Sequence, residues 1–432
     1  MSLAWQVRTA SSSEVFPPQW EVRRVGDLVT LINGFPFSSE TFGPSGDLPL
    51  VRIRDLGHQP FETYVSGRIP EASIVRNGDV VIGMDGDFNL KIWDRGRAAL
   101  NQRLCLLRPR PGVDIRFVAY ALPASLKIIN DLTFSTTVKH LSSGDVLRER
   151  MPLPPVEEQR RIADFLDAET SRIDRMITLR HKQLKLWAER TRSLTHQQVT
   201  STTEEALGGL EIDWLGRIPE GWRAPTIGRI ARFIMGTTFP HEYQGQKSGH
   251  YPFIKVSDFQ TADGTGRIES AENWITRETA NRLGARIVPP GCILYARVGA
   301  ALLLNRRRIT VRPSVIDDNV RAINFSHGDP RFWAALLNLL DMGQLSNPGA
   351  VPSISESQVS SVRIPDPDDE TQTTIANRLE TTHRYQHAAS SAIQRQLHLL
   401  AERRQALITA AVTGQFDVST ASGRNVTDGV PA

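Results

Sequence analysis

The chain has 432 residues, with 51 Lys and Arg against 47 Asp and Glu (formal net charge +4), 40% hydrophobic and 23% charged residues, and two cysteines. That composition excludes a largely disordered chain and suits two to three domains, each large enough to bury its own core. Two cysteines exclude a disulfide framework, and no run approaches the roughly 18 apolar residues of a membrane span, so the expectation is a cytoplasmic protein without a signal peptide.

In chain order, residues 1–16 read as an N-terminal tail. From 17 to 150, short apolar runs punctuated by Gly, Pro and Asn predict a mixed α/β module. Leu48 to Leu56 alternates as a half-buried strand, Val80-Val81-Ile82 reads as a buried strand, and Arg116 to Asn130 as a helix. Pro152, Pro154 and Pro155 then mark the start of a helical region, 151–200, with the helix itself over about 156–199. Leu166, Ile173, Trp187 and Leu194 fall there on a seven-residue grid broken by Arg180, with Ile177 and Leu184 on the neighbouring seam. Residues 201–216 form a linker. A second module, 217–363, shows the same texture, with strands at Tyr251 to Phe259 and Ile293-Leu294-Tyr295 and a helix at Arg331 to Met342. Pro365 and Pro367 introduce a second helical region, 364–413, in which Leu379, Ile393, Leu400 and Leu407 keep the grid and Leu397 lies beside it. Gly414 follows the helix end, and 414–432 read as a disordered tail.

The second half repeats the first. Ala188 aligns with Ala401, an offset of 213, and the same offset aligns Pro152 with Pro365, Gln159 with Gln372, Ile162-Ala163 with Ile375-Ala376, and Gly78 with Gly291. Upstream, Trp20 matches Trp222 and Gly34 matches Gly236 at an offset of 202, so eleven extra residues sit in the second copy between about Asp258 and Gly291. A unit this long is a duplicated module, not a solenoid repeat. The expected fold class is α+β: two mixed α/β domains joined by two long helices that pair as an antiparallel coiled coil. A helix of about 40 residues spans roughly 60 Å, longer than a compact domain needs, and antiparallel pairing would set the modules at opposite ends of one rod.

Four segments carry a family resemblance. Leu153-Pro-Pro-Val-Glu-Glu-Gln-Arg-Arg-Ile-Ala163 resembles the Leu-Pro-Pro-x-x-Glu-Gln-x-x-Ile-Ala lead-in to the helical regions of specificity subunits of type I restriction–modification enzymes. Leu400 to Gly414 resembles that family's C-terminal helix ending, Asp213 to Trp222 its approach to a target-recognition domain, and Ser135 to Ser142 the loop that closes the first such domain. The second lead-in, Ile364-Pro-Asp-Pro-Asp-Asp-Glu-Thr-Gln372, departs from the pattern, and Asn347 to Ile354 replaces the Thr-x-x-His-Leu wording in the second module. The resemblance covers nearly the whole chain, in the family's order, twice. It implies that each module reads one half of a bipartite double-stranded DNA target, while the paired helices set the unspecified gap. The helices also dock two modification (methyltransferase) subunits, and restriction/translocase subunits complete an assembly for defence against foreign DNA. That assembly would be a type I site-specific deoxyribonuclease and adenine-specific DNA methyltransferase, with S-adenosylmethionine, ATP and Mg²⁺ in the partner subunits and no cofactor or metal in this chain.

The residues agree with a non-catalytic chain. There is no Asn/Asp-Pro-Pro-Tyr/Phe loop to grip a flipped base, no Gly-Lys dipeptide for a phosphate loop, and no carboxylate-x-Lys pair. Cys105 and Cys292 stand alone, and Met84-Asp-Gly-Asp87 reads as a turn between strands. The first module carries 17 basic against 15 acidic residues (net +2) and the second 18 against 12 (net +6), leaving −4 for the rest. Positive charge is therefore concentrated where DNA would be read. The candidate DNA-binding residues are Arg52 and Arg54, expected to point the same way on a strand, and Lys255 in the matching strand of the second copy. Lys91, Arg95 and Arg97 are expected around Trp93 in a groove-entering segment, with Arg297, Asn305, Arg306, Arg307 and Arg308 as counterparts. Thr136, Thr137, Lys139 and His140 form a polar loop able to reach base edges or phosphate. Two rival readings stay open: a bipartite DNA-binding adaptor of another defence assembly, and a coiled-coil scaffold without a DNA role.

Overall fold

The computed structural model describes residues 17–57, 60–132, 139–200, 209–347 and 349–418. The first module opens with β1 (Glu21–Arg24), the one-turn helix α1 (Val25–Leu28) and β2 (Val29–Asn33). There follow β3 (Phe42–Gly43), β4 (Leu48–Val51), β5 (Tyr64–Val65), β6 (Ile74–Val75), β7 (Val80–Gly83), β8 (Leu90–Ile92), β9 (Ala98–Leu100) and β10 (Leu104–Pro109). Helices α2 (Ile115–Leu132) and α3 (Ser143–Arg148) and strand β11 (Arg150–Leu153) complete it. One sheet has the order β2-β10-β7-β8, a second β3-β5-β4-β9-β6, and β1 pairs with β11. The buried run in β7 has a simple cause: the strand lies between two cores. Val80 and Ile82 face the α2 side with Phe117 and Leu122, whereas Val81 faces Val51, Trp93 and Leu100.

The long helix α4 (Val156–Thr200) is followed by a hairpin, β12 (Glu211–Ile212) and β13 (Gly216–Arg217), and then by the second module. Its elements are α5 (Ile227–Ile230), β14 (Ala231–Met235), β15 (Tyr251–Ile254), β16 (Arg267–Ile268), β17 (Asn273–Ile275), α6 (Arg277–Arg282), β18 (Ile293–Ala296), α7 (Ala300–Leu303), β19 (Arg308–Thr310), β20 (Val315–Ile316), β21 (Val320–Phe325), α8 (Pro330–Leu339), α9 (Met342–Leu345) and α10 (Glu356–Ser360). The chain then enters α11 (Asp369–Thr413). The sheets β14-β21-β18-β19-β16 and β17-β15-β20 repeat the first module's β2-β10-β7-β8 and β5-β4-β9 pairing, down to the parallel pair β15–β20 that matches β4–β9, whereas β3 and β6 have no strand matching them. Strand β16 has no counterpart. The offset is already 203 at Pro49 and Pro252, so one of the eleven extra residues lies upstream of Asp258, not beyond it as expected. Pro49 pairs with Tyr64 and Pro252 with Trp274, so the offset then rises to 210 and seven of the extra residues lie in the β16 segment.

Three expectations are corrected. The runs from Leu48 and Tyr251 are strands only to Val51 and Ile254; 3-10 turns, Ile53–Leu56 and Val256–Thr261, follow. The cause is a buried aspartate in each copy: Asp55 Oδ2 accepts the Arg52 N–H at 3.0 Å, and Asp258 Oδ2 that of Lys255 at 2.7 Å. Arg52 and Arg54 therefore do not share a strand face. The helix expected over Arg331 to Met342 is two helices, because the Asp341 side chain caps a new one by accepting from Gly343 N at 2.9 Å.

Both long helices have 45 residues, about 68 Å at 1.5 Å per residue. The chain divides into two compact units, residues to Thr178 with those from Leu397 onward, and Leu179 to Gln396, so each unit takes part of each helix. In the first unit the helices run antiparallel: Phe165 meets Phe416 (ring centroids 5.5 Å apart) and Asp174 pairs with Arg404 at 2.9 Å. Leu166, Ile173 and Leu407 are buried in the module's core there, Ile177 and Leu400 pack on it, and Leu397 is half-buried. In the second unit Leu379 joins the core, Ile393 is buried, and Leu184, Trp187 and Leu194 are half-buried. The grid omitted Ile162, Ile408, Ala411, Val199 and Ile375, which are buried at helix ends against the modules.

Candidate nucleic-acid interface

Three loops meet in each module on the same backbone frame. In the first, the turn after β7, the turn before β10 and the segment before α3 are joined by Met84 N to Arg103 O (2.9 Å), Leu141 N to Met84 O (2.7 Å) and a bridge between Asp85 and His140. In the second, Arg297 N bonds Asn319 O (3.0 Å), Ile354 N bonds Arg297 O (2.9 Å), and Val298 bridges Ser353. His140 and Ser353 differ by 213 in number, as do Asp85 and Val298. The segment containing Asn347 to Ile354 thus stands where the first copy carries its His-Leu wording. Ser142 and Ser355 then cap α3 and α10, accepting from Asp145 N (3.1 Å) and Gln358 N (3.3 Å).

This frame carries different polar groups in the two modules. In the first, Asp85 shares a 2.7 Å hydrogen bond with His140 and a 3.1 Å ion pair with Arg103, and both partners are more than half exposed. Lys139 Nζ donates to Asn130 O at 2.6 Å, and the Asn130 amide donates to Gly86 O. In the second, Arg297 Nε donates to Asp318 O at 2.9 Å, and Asn319 Nδ2 to Asp317 Oδ1 at 2.9 Å. Burial, backed by Asp318, holds the Asp317 carboxyl above its ordinary value, while burial and the charge of Arg297 hold Arg321 below its own. Donors and acceptors at a common rim can read base edges; exposed guanidinium groups suit guanine or phosphate.

The remaining candidates sort by burial. Arg54, Arg97 and Arg306 are exposed, the first two near Glu62 and Glu71 at 3.6 and 3.5 Å. Arg52 and Arg95 brace the first module instead. Arg52 Nε pairs with buried Asp55 at 2.9 Å; Arg95 lies 3.7 Å over the Phe61 ring and donates to Asp55 O at 2.8 Å. Trp93 is 1% exposed and donates to Gly96 O, so the expected groove-entering segment is the end of a core hairpin. Lys91 Nζ is buried 3.5 Å from Asp94, and Lys255 Nζ lies 5.7 Å from the Phe239 ring. Asn305, at φ 52°, accepts from Arg307 and from Met342 N. Burial pushes the guanidinium groups of both Arg307 and Arg308 down to about 10. Thr136 and Thr137 lie outside the described residues. Sequence reasoning missed Arg103, Asn319 and Arg321; their signal is position, at the turn or first residues of the last strand of each main sheet.

Two like modules presenting unlike polar rims on paired long helices define a duplicated recognition protein. A family profile described as the type I restriction modification DNA specificity domain matches residues 17–185 and 219–398, and the chain belongs to that family. It is 37% identical over 223 residues to the type I restriction enzyme EcoBI specificity subunit of Escherichia coli, covering 49% of this chain and 46% of that one. It is 24% identical over 230 residues to the MjaVIII specificity subunit of Methanocaldococcus jannaschii, covering 52% of each. The chain thus spans about half the length of these curated relatives. A solved structure described as the structural basis of complex assembly and conformational transition of the type I R-M system superposes with a TM-score of 0.64 at 21% identity. That match covers 93% of this chain and 100% of that one, and it shows the shared fold.

Proposed function

We propose that this chain is the DNA sequence-specificity subunit of a type I restriction–modification complex. The target-recognition domains are 17–150 and 217–363, each reading one half of a bipartite double-stranded target, and the helical regions 151–200 and 364–413 set the spacer. The observation that carries the reading is the repeated three-loop frame with its side chains exchanged: Asp85, Arg103 and His140 in one copy, Val298, Asn319 and Ser353 in the other. A common scaffold with exchanged polar groups is what two different half-sites require.

The chain directs two modification subunits and the restriction/translocase subunits, which supply S-adenosylmethionine, ATP and Mg²⁺ chemistry, and it catalyses nothing itself. It works in the cytoplasm; no described helix is long and apolar enough to cross a membrane. Exposed Leu179, Leu186, Tyr385 and Leu399 leave apolar area on the long helices, which suits the docking of subunits. The test is duplex binding by the full chain with its modification subunits as salt is raised. Several phosphate contacts predict a linear fall of log affinity with log salt, and a flat response would contradict DNA recognition.

A further inference from the structure

Arg307 is 2% exposed, its Nε has no hydrogen-bond partner, and its Nη atoms donate only to neutral acceptors. These are Arg306 O (3.2 Å), Asn305 Oδ1 (2.9 Å) and Leu340 O (3.3 Å). Arg308 beside it donates to Phe259 O at 2.6 Å and Arg307 O at 2.8 Å. Among the described residues neither guanidinium has a carboxylate partner. Buried charges are ordinarily paired, so two adjacent unpaired arginines call for an anion.

Both arginines line a cavity of about 340 Å³, opposite His383 and His387 of α11. The acids on its wall are already engaged. Glu380 is held by Arg331, Arg267 and Arg384 at 2.6 to 3.0 Å, and Asp263 Oδ1 accepts from Thr265 N, Thr265 Oγ1 and Arg267 N. Arg331 is itself held by Asp329 and Glu380, each at 2.6 Å, so among the described residues Arg307 and Arg308 are the cations left unpaired on its wall, with two imidazoles able to add donors. One wall, Asp263 to Gly266, belongs to the segment inserted only in the second copy, so the frame is private to that module.

We propose that this cavity binds a small phosphate-class dianion through Arg308, with the enclosed charge of Arg307 behind it and His383 and His387 as further donors. Planar guanidinium groups match phosphate oxygens, and a pocket of this volume admits a phosphate or a small phosphomonoester.

The experiment titrates the full chain with inorganic phosphate by calorimetry, against chloride at matched ionic strength. Saturable phosphate binding is expected. Arg308→Gln should weaken it about tenfold or more, the effect of losing charge-assisted hydrogen bonds. Ser390→Phe, which fills the cavity from α11 and removes no cation, should weaken it likewise, with circular dichroism reporting that both variants fold. Phosphate binding no tighter than chloride, or unchanged in both variants, overturns the proposal. A short random-sequence duplex separates the sources of the phosphate group. Displacement of phosphate by duplex, with duplex binding weakened in Arg308→Gln, assigns the site to the DNA backbone. Phosphate held alongside saturating duplex assigns it to a free phosphate or phosphomonoester.

Discussion

Gln159 and Gln372 are 1% and 0% exposed and do the same work in the two copies. Gln159 Oε1 accepts Asp114 N at 2.8 Å while its Nε2 donates to Pro154 O at 2.8 Å; Gln372 accepts Asp329 N at 3.2 Å and donates to Pro367 O at 2.9 Å. Each glutamine therefore ties the start of a long helix to the start of α2 or α8. Replacing Gln159 by Leu should cost about 1–3 kcal/mol, read as a lower urea midpoint, because buried backbone groups lose their partners; an unchanged midpoint would contradict the clamp. The repeated glutamine is legible in the sequence, but its partner some 45 residues upstream is not, since nothing local specifies it. A second prediction concerns Glu380. Burial pushes its carboxyl up, but Arg331 and Arg267 outweigh burial and hold it down at about 2. A depressed folded value means this stabilisation is present above the ordinary glutamate value of 4.5 and is lost as pH falls from there toward 2. The stability difference between the wild type and Glu380→Gln should therefore shrink across that range, and a constant difference would remove the argument. If the common rim reads DNA as proposed, Arg103→Ala should alter or weaken one half-site and Arg297→Ala the other, read as methylated-motif preference of the chain together with its modification subunits.

At the scale of elements, the long helices were the most legible features, because a heptad grid without internal Gly or Pro has few alternatives. The strands were less so. An alternating run after Val51 or Ile254 became a 3-10 turn because one buried aspartate captured a backbone amide, a contact with no period. The DNA-facing candidates fared unevenly for a related reason. An arginine in a polar stretch reads the same whether it reaches solvent, as Arg306 does, or bonds carbonyls inside, as Arg95 and Arg308 do. Gly34 and Gly236 were legible as a matched pair, and the structure gives the cause. A Cβ at either would lie 1.9 Å from the carbonyl oxygen of Asn101 or Asp317, where β2 or β14 crosses the turn before the last strand of its sheet. Gly236→Ala should destabilise the second module by roughly 3 kcal/mol or more, measured by thermal unfolding; a shift under 1 °C would contradict that close approach.

For the molecule as a whole, duplication at an offset of 213 was visible in the sequence, and strand pairing now assigns seven of the extra residues to the β16 segment. The make-up of the compact units was not visible, because the first joins residues up to Thr178 with a stretch that begins more than 200 positions later, at Leu397. If the helices set the spacer, inserting one turn of about four residues into both α4 and α11 lengthens each by about 6 Å, roughly two base pairs of duplex. The recognised gap should widen accordingly with both half-sites unchanged. The central claim is tested most directly by methylome sequencing of the host with and without this gene. Deletion should abolish one bipartite methylated motif with a fixed gap; a methylome that loses no such motif would contradict the assignment of this chain as its specificity subunit.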